Sequence, residues 1–312
     1  RDAFDDATEA HGWKLRDYQH AGREFIRDRR GTLLADQMRL GKTAQLVASH
    51  ELTDGPLIVV APLATREVWL GWFRRRWPDV RPTVLQGKRV AYIDPKTKKP
   101  STRRKERNYD LLEGEFFDED ALKNAQLVFM NYDILAGWKN FGNRRVGTLI
   151  FDEVHVLSNK GSRRSKAAMY LSAQADRVIG ASGTPMWNKP AGLYTTLACL
   201  TPGAWGKYFE FASRYADGRL GAHGFVADGA SYEEEFRARM QEVMIRRTWQ
   251  SVLGQVPAIT RTAEVVQITE RQAFEVEKEA ERCRNHAHQT TAIGAMARFR
   301  RLLAKLKIDG AI

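Results

Sequence analysis

The segment from Leu33 to Thr43, LLADQMRLGKT, places a Gly-Lys-Thr triplet between a short apolar run and a run with helical spacing. This order predicts a buried strand, a loop of phosphate size and a helix N-terminus, which is the setting of a phosphate-binding loop (P-loop). Gly41 lets the backbone approach a phosphate, Lys42 would reach the β and γ phosphates, and the Thr43 hydroxyl would bind Mg²⁺. The segment therefore predicts a nucleotide site, with a chance triplet at a helix start as the alternative.

Two residues of this loop depart from the usual P-loop pattern. Asp36 stands where that pattern opens with Gly, and Arg39 stands where many helicase-like loops carry another Gly. An Arg fits there if its backbone stays in an allowed φ/ψ region, and its side chain would then face solvent or phosphate. We assign the whole loop to the predicted nucleotide site: Asp36, Gln37, Met38, Arg39, Leu40, Gly41, Lys42 and Thr43.

An acidic pair, Asp152 and Glu153, follows a second apolar strand pattern. Ligands of open α/β sheets lie at the carboxyl ends of the strands, so these carboxylates should emerge beside the P-loop. Asp152 would hold Mg²⁺ through water, and Glu153 would polarise the attacking water. Strand ends often carry solvated acids, but the P-loop upstream makes this pair a strong indication of nucleotide hydrolysis.

Polar residues next to two other patterns extend this site. Arg16 and Gln19 lie on an amphipathic helical pattern upstream of the P-loop. The Gln19 amide can both donate to and accept from an adenine edge, and the alternative is a surface turn. Ser182 and Thr184 follow an apolar strand pattern, and they would accept hydrogen bonds from the acidic pair or cap a turn.

The composition favours a soluble protein with a polyanionic partner. The chain has 312 residues, 43% of them hydrophobic, which is enough for one large or two ordinary domains. Its 50 Lys and Arg against 38 acidic residues give a net charge of +12, and neutralised phosphates would release their counterions. No apolar run approaches the roughly 20 residues that span a bilayer, so we expect no membrane partner.

The cysteines and the first residues bear on the compartment. Only Cys199 and Cys283 occur, and they lack partners at metal-ligand spacing. We therefore expect no zinc site and a reducing compartment, either cytoplasmic or nucleoid-associated. The first residues do not resemble a signal peptide.

Strand and helix patterns alternate from residue 13 to about residue 190, which predicts an α/β fold with a mostly parallel sheet. The helical pattern of residues 65 to 77 directs four side chains toward the core: Val68, Trp69, Trp72 and Phe73. Residues 190 to 248 are mainly helical, with a Gly-rich loop at 218 to 229, and the tail from residue 270 is also helical.

A basic segment, 88 to 110, interrupts the alternation. Pro95 and Pro100 exclude a continuous helix, and residues 90 to 93 suit one arm of a hairpin. A charge run of this kind is usually a solvated face. The alternative is contact with a nucleic-acid backbone, for which the candidates are Arg103, Arg104 and Lys105.

In this order, the motifs resemble those of the Swi/Snf-type ATPases of helicase superfamily two. LRDYQ is similar to the family's adenine-recognition motif, LADQMRLGKT to motif I, and IVVAPLATREVW to motif Ia with its Trp-containing helix. IFDEVH is similar to the DEAH-type motif II, GASGTPMWN to motif III, and VMIRRTWQ to a landmark at the end of the first lobe. The resemblance covers residues 13 to about 260.

The resemblance implies a three-layer, RecA-like P-loop NTPase lobe over residues 1–255, including the basic insertion 88–110 and the helical segment 190–248. Residues 256–312 would be a connector or the start of a second lobe. In this family the second RecA-like lobe supplies an arginine finger and half of the DNA track. We therefore expect a longer protein, whose first lobe alone binds ATP weakly and hydrolyses it slowly.

The resemblance also implies cofactors and roles. ATP and Mg²⁺ would be the cofactors, with Lys42, Asp152 and Glu153 as catalytic residues, while Ser182 and Thr184 would couple hydrolysis to motion. The leading hypothesis is a translocase or remodeller of double-stranded DNA, with a further protein partner on the DNA. The alternatives are a DEAH-type RNA or restriction-associated helicase, and a nucleotide-dependent scaffold without hydrolysis.

Overall fold

A computed structural model of the protein describes residues 14–85, 88–93, 100–108, 124–138, 145–185, 189–222, 224–252, 254, 267–285 and 292–309. The chain forms two compact units, Arg1–Val256 and Pro257–Ile312. The predicted division into a lobe over 1–255 and a connector or second lobe over 256–312 stays a prediction. No helix among the described residues is long and apolar enough to cross a membrane.

The described part of the first unit contains strands β1 (Gly31–Leu34), β2 (Leu57–Ala61), β3 (Thr83–Val84), β4 (Lys88–Ile93), β5 (Pro100–Asn108), β6 (Leu127–Asn131), β7 (Val146–Asp152), β8 (Ala175–Ala181), β9 (Arg219–Gly221), β10 (Gly224–Val226) and β11 (Met244–Ile245). Seven of them form one sheet in the order β11-β1-β8-β7-β2-β6-β3, and every neighbouring pair is parallel. The predicted mostly parallel sheet is confirmed.

The described helices of the first unit are α1 (Asp17–Arg27), α2 (Lys42–Ala48), α3 (Arg66–Arg76), α4 (Leu135–Trp138), α5 (Arg163–Ser172), α6 (Tyr194–Leu200), α7 (Tyr208–Tyr215) and α8 (Glu233–Val243). The second unit contains α9 (Glu270–Asn285) and α10 (Ala292–Asp309), which pack against each other and confirm a helical tail.

Helices cover both faces of the sheet, which gives three layers. Alternate side chains of one strand enter opposite cores: Ile58 faces the side of α4 to α8, whereas Val59 faces the side of α1, α2 and α3. The central strands are fully buried and read as continuous apolar runs, because a parallel strand covered on both faces has no solvated side. This arrangement leaves the carboxyl ends of the strands for polar residues.

Two predictions about local structure were wrong. Val68 does not face the core, because its side chain is 55% exposed, whereas Trp69 and Phe73 of the same helix are fully buried. Neighbouring residues of an α-helix point about 100° apart, so the face that buries Trp69 and Phe73 leaves Val68 outside. The Gly-rich loop at 218 to 229 contains the antiparallel pair β9 and β10.

The basic insertion forms a small separate sheet. Strand β4 pairs antiparallel with β5, with a register shift between Ala91 and Tyr92. The predicted hairpin arm at residues 90 to 93 is therefore a strand. Residues 94–99 and 109–110 of the predicted insertion lie outside the described residues.

Candidate nucleotide site at the carboxyl ends of the strands

The P-loop connects β1 to α2, as predicted. Gly41 has φ 71°, and a Cβ on it would lie 2.3 Å from Nε2 of Gln19, so this position requires glycine. The Lys42 ammonium donates to the Asp36 carbonyl at 3.0 Å. Burial lowers the pKa of Lys42, and the negative charge of Glu153 opposes this shift most strongly among the nearby carboxylates. The ammonium thus lies between the loop and the acidic pair.

The backbone of Arg39 has φ 68°, in the left-handed region that favours glycine. This explains why a Gly is usual at this position of the loop, and why Arg39 is the residue of this segment that conflicts with its own backbone. A left-handed conformation destabilises an L-residue by roughly 1–2 kcal/mol. Its side chain is exposed.

Replacing Arg39 with Gly is expected to raise the free energy of unfolding by about 0.5–1 kcal/mol. The left-handed strain of about 1–2 kcal/mol disappears, and the greater freedom of glycine in the unfolded chain offsets about 0.4–1 kcal/mol of it. Urea denaturation measures the change. The matched control is Arg74→Gly on the exposed face of α3, which should be destabilising by about 1 kcal/mol. A destabilised Arg39→Gly protein would contradict this prediction.

The Asp36 carboxylate is fully buried and binds Arg247, a residue of the segment after β11. Its Oδ1 accepts hydrogen bonds from Arg247 N at 3.0 Å and Nε at 2.9 Å, and its Oδ2 accepts from Arg247 Nη2 at 2.7 Å. Gln45 of α2 also donates to Oδ2, at 3.0 Å. Arg247 donates further to Gln45 Oε1 and to the Tyr18 carbonyl. The Asp36 side chain therefore holds Arg247, whereas the main-chain carbonyl of Asp36 accepts a hydrogen bond from Lys42.

The segment after β11 also forms hydrogen bonds with the middle of the P-loop. Gln37 N donates to the Arg247 carbonyl at 2.9 Å, and Gln37 Oε1 accepts from Trp249 N at 2.9 Å. Leu40 is fully buried, while Met38 is 56% exposed. This support was not predicted from the sequence. A buried acid within a loop requires a cationic partner, and the paired arginines at 246 and 247 are candidates for that partner.

Gln19, the predicted adenine-reading residue, lies against the loop. Its Nε2 donates to the Leu40 carbonyl at 3.2 Å, and its Oε1 accepts from Arg16 N at 2.9 Å. An amide side chain has two N–H groups and two acceptor lone pairs, so one of each remains for a base. The Arg16 side chain is exposed.

Asp152 ends β7 and is held from three directions. Its Oδ2 accepts from Trp69 Nε1 at 3.0 Å, its Oδ1 from Glu153 N at 3.0 Å, and its carbonyl from the Tyr132 hydroxyl at 2.7 Å. Burial raises the pKa of the Asp152 carboxyl, and the Trp69 hydrogen bond opposes that shift. Trp69 and Tyr132 were not predicted as site residues.

Glu153 lies in a small polar cluster with His155 and Ser182. Its Oε2 is 3.2 Å from His155 Nδ1, and the Ser182 hydroxyl donates to the same oxygen at 3.4 Å. His155 Nδ1 is 2.9 Å from Ser182 Oγ. The sequence-based expectation that Ser182 accepts from the acidic pair was wrong in direction, because an ionised carboxylate has no proton to donate.

Thr184 joins this cluster through its backbone. Its N–H donates to Ser182 Oγ at 3.2 Å, and its side chain is exposed. Gly183, between these two residues, approaches the P-loop, since a Cβ there would lie 2.8 Å from Met38 Cγ and 3.5 Å from Lys42 Nζ. Ser182 thus contacts the acidic pair, Gly183 lies beside the loop, and Thr184 is connected to them through its backbone bond to Ser182.

The oxygen groups present suit Mg²⁺. The described residues contain no group of three or more His, Cys, Asp or Glu that could hold a metal. Mg²⁺ is commonly held by one or two protein oxygen ligands together with phosphates and water, so a larger cluster is not required. Asp152 accepts one hydrogen bond on each carboxylate oxygen, which leaves lone pairs for a cation.

The candidate DNA contacts Arg103, Arg104 and Lys105 lie on strand β5. Their side chains are outside the described part of the structure. Their predicted contact with a nucleic-acid backbone stays a prediction.

Known proteins are similar to this chain in sequence and in fold. The SNF2-related domain model matches residues 12–305. A SWI/SNF-related matrix-associated actin-dependent regulator of chromatin subfamily A-like protein 1 from Xenopus tropicalis is 34% identical over 82% of the chain. The DNA annealing helicase and endonuclease ZRANB3 of Mus musculus is 29% identical over 80% of the chain. The chain spans about a quarter of the length of these relatives, 25% and 22% respectively.

The fold comparison agrees with the sequence comparison. The Sulfolobus solfataricus SWI2/SNF2 ATPase core in complex with dsDNA superposes with a TM-score of 0.58 at 24% identity, covering 95% of this chain and 58% of that one. This likeness confirms the predicted RecA-like α/β fold, and the matches together confirm the resemblance to Swi/Snf-type ATPases. The chain belongs to the SNF2-related domain family.

Proposed function

We propose that this chain is the ATP-binding lobe of an ATP-dependent translocase or remodeller of double-stranded DNA. The observation that carries the proposal is the convergence of Lys42, the acidic pair and Ser182, which lie far apart in the sequence, at the carboxyl ends of neighbouring strands. A ligand with terminal phosphates fits this arrangement, because a cationic side chain and a P-loop lie beside a carboxylate that can accept a proton.

The residues would divide the work of hydrolysis. Lys42 binds the terminal phosphates, and Arg16 and Gln19 would contact the base. Thr43 and Asp152 would hold Mg²⁺, which when bound neutralises charge on the phosphates. Glu153 orients the attacking water and accepts its proton as the bond between the γ-phosphorus and the bridging oxygen breaks, giving ADP and phosphate. His155 and Ser182 hold the Glu153 carboxylate.

DNA as the partner is supported by charge and by the relatives. The net charge of +12 favours a polyanion. The Sulfolobus ATPase core is in complex with dsDNA, and the mouse relative is named a DNA annealing helicase. We propose that the basic insertion contributes phosphate contacts through Arg103, Arg104 and Lys105, and that a second RecA-like lobe of the full-length protein completes the cleft and the DNA track.

The test is the ATPase activity of the full-length protein with duplex DNA, single-stranded DNA or RNA added. We expect duplex DNA to stimulate most, and Lys42→Ala to lower kcat/KM by at least about 10²-fold, because the charge that stabilises the transferring phosphoryl group is lost. Lys166→Ala, exposed on α5, is the control. Stronger stimulation by RNA would support the RNA helicase, and ATP binding without turnover would support the scaffold.

The proposed contact of the basic insertion with DNA is tested by neutralising Arg103, Arg104 and Lys105 together. If the salt dependence of DNA binding is unchanged, the insertion does not contact the DNA phosphates.

A further inference from the structure

Trp69 places its indole nitrogen against the acidic pair from inside the protein. The side chain is fully buried on α3, and Nε1 donates to Asp152 Oδ2 at 3.0 Å. A buried indole N–H needs an acceptor, but any backbone carbonyl would satisfy that need. Here the acceptor is the carboxylate that stands at the end of β7, beside the P-loop lysine.

The hydrogen bond restricts the carboxylate because the indole itself cannot move freely. Trp69 packs against Phe73, with ring centroids 6.1 Å apart, within the core between the sheet and helices α1, α2 and α3. The other carboxylate oxygen accepts from Glu153 N, and the Tyr132 hydroxyl holds the carbonyl. Rotation of the Asp152 side chain would break its bond to Trp69 or to Glu153 N, so the orientation of the carboxylate is set by α3 and by the backbone directly after β7, while Tyr132 holds the main chain.

The chemical nature of the donor matters as much as its position. A Lys or Arg at this place would neutralise the carboxylate and compete with a cation for it. The neutral indole of Trp69 donates one hydrogen bond, and it leaves the negative charge and the remaining lone pairs of Asp152 available. The partner therefore orients the carboxylate without reducing its attraction for a divalent metal.

We propose that Trp69 is a positioning residue, which orients Asp152 for binding of the divalent metal that accompanies the nucleotide. This inference rests on the proposed function, because it assumes that Asp152 holds Mg²⁺. Partners that orient the ligands of a metal typically change metal affinity by about 10- to 100-fold when they are removed. Nucleotide binding in the absence of metal depends on the loop and not on this bond.

The sharpest test replaces Trp69 with β-(3-benzothienyl)alanine, which has the shape of Trp but carries sulfur in place of the N–H. The same replacement at Trp77, a buried Trp directly after α3, is the matched control, and Trp69→Phe is the simpler companion variant. In the full-length protein with a non-hydrolysable ATP analogue, electron paramagnetic resonance of free Mn²⁺ measures metal affinity. Thermal unfolding checks that each variant is folded.

We expect the benzothienyl replacement at position 69 to weaken Mn²⁺ binding by about 10-fold or more, with nucleotide affinity in EDTA unchanged. The replacement at position 77 should change neither quantity. Wild-type Mn²⁺ affinity in the folded position-69 variant would overturn the inference and leave the proposed function standing. Failure of the unmodified protein to bind Mn²⁺ with nucleotide would instead overturn the proposed function, and this inference with it.

Discussion

Replacing Arg247 with Ala is expected to lower the free energy of unfolding by about 3–5 kcal/mol, because it leaves the fully buried Asp36 carboxylate without its cationic partner. The substitution also removes donors to Tyr18 and Gln45, so the P-loop loses its connection to α1, α2 and the segment after β11. Urea denaturation of the full-length protein measures the change.

The control for Arg247 is an ion pair of similar length on the surface. Arg145 Nε lies 2.6 Å from Asp176 Oδ2, and the two side chains are 78% and 47% exposed. Arg145→Ala should change stability by less than about 1 kcal/mol, because solvent screens the pair. Adding Asp36→Asn to Arg247→Ala should recover part of the loss, since the uncompensated charge is then removed. An Arg247→Ala effect no larger than that of Arg145→Ala would show that the buried pair does not stabilise the loop.

Replacing Glu153 with Gln is expected to lower kcat for ATP hydrolysis by roughly 10²–10⁴-fold, while nucleotide affinity stays within about twofold. The amide keeps the size of the side chain and an oxygen for the Ser182 hydroxyl, but it cannot accept the proton of the attacking water. Binding of a fluorescent ATP analogue and steady-state phosphate release, both with duplex DNA present, separate the two effects.

Glu67→Gln provides the matched control for Glu153→Gln. Glu67 is exposed on α3 and pairs with Arg66 at 2.9 Å, so the same change of a carboxylate to an amide occurs on an exposed side chain outside the acidic pair. Its kcat should remain that of the unaltered protein. Hydrolysis by Glu153→Gln at an undiminished rate would mean that another group accepts the proton, and the proposed division of roles would be wrong.

Two residues of the candidate nucleotide site, one in the P-loop and one in the acidic pair, have strained backbone conformations. Arg39 in the P-loop and Glu153 in the acidic pair have φ of 68° and 53°. Such conformations destabilise a non-glycine residue by about 1–3 kcal/mol and persist where surrounding contacts hold them. The bonds of the Gln37 backbone and side chain to Arg247 and Trp249 supply such contacts near Arg39, and His155 with Ser182 does so for Glu153.

The amino-acid sequence by itself determined the parts of this protein that depend on local pattern. Continuous apolar runs followed by helical periodicity were sufficient for the parallel α/β sheet, and a Gly-Lys-Thr triplet at a helix start together with Asp152 and Glu153 after a strand was sufficient for the nucleotide site hypothesis. Strand direction explains why these residues could be placed together in advance, since the carboxyl ends of parallel strands share one edge of the sheet.

Only the tertiary structure decided which side chains hold those residues in place. The pairs Asp36–Arg247 and Trp69–Asp152 join residues far apart in the chain, and no local periodicity relates them. In the sequence Trp69 has the pattern of an ordinary core residue. Its indole reaches Asp152 only because α3 packs close to the end of β7. Arg39 likewise conflicts with the loop only because the folded backbone turns left-handed there. Local patterns specify elements, whereas the choice of buried polar partners depends on how the packed elements bring their atoms within hydrogen-bond distance.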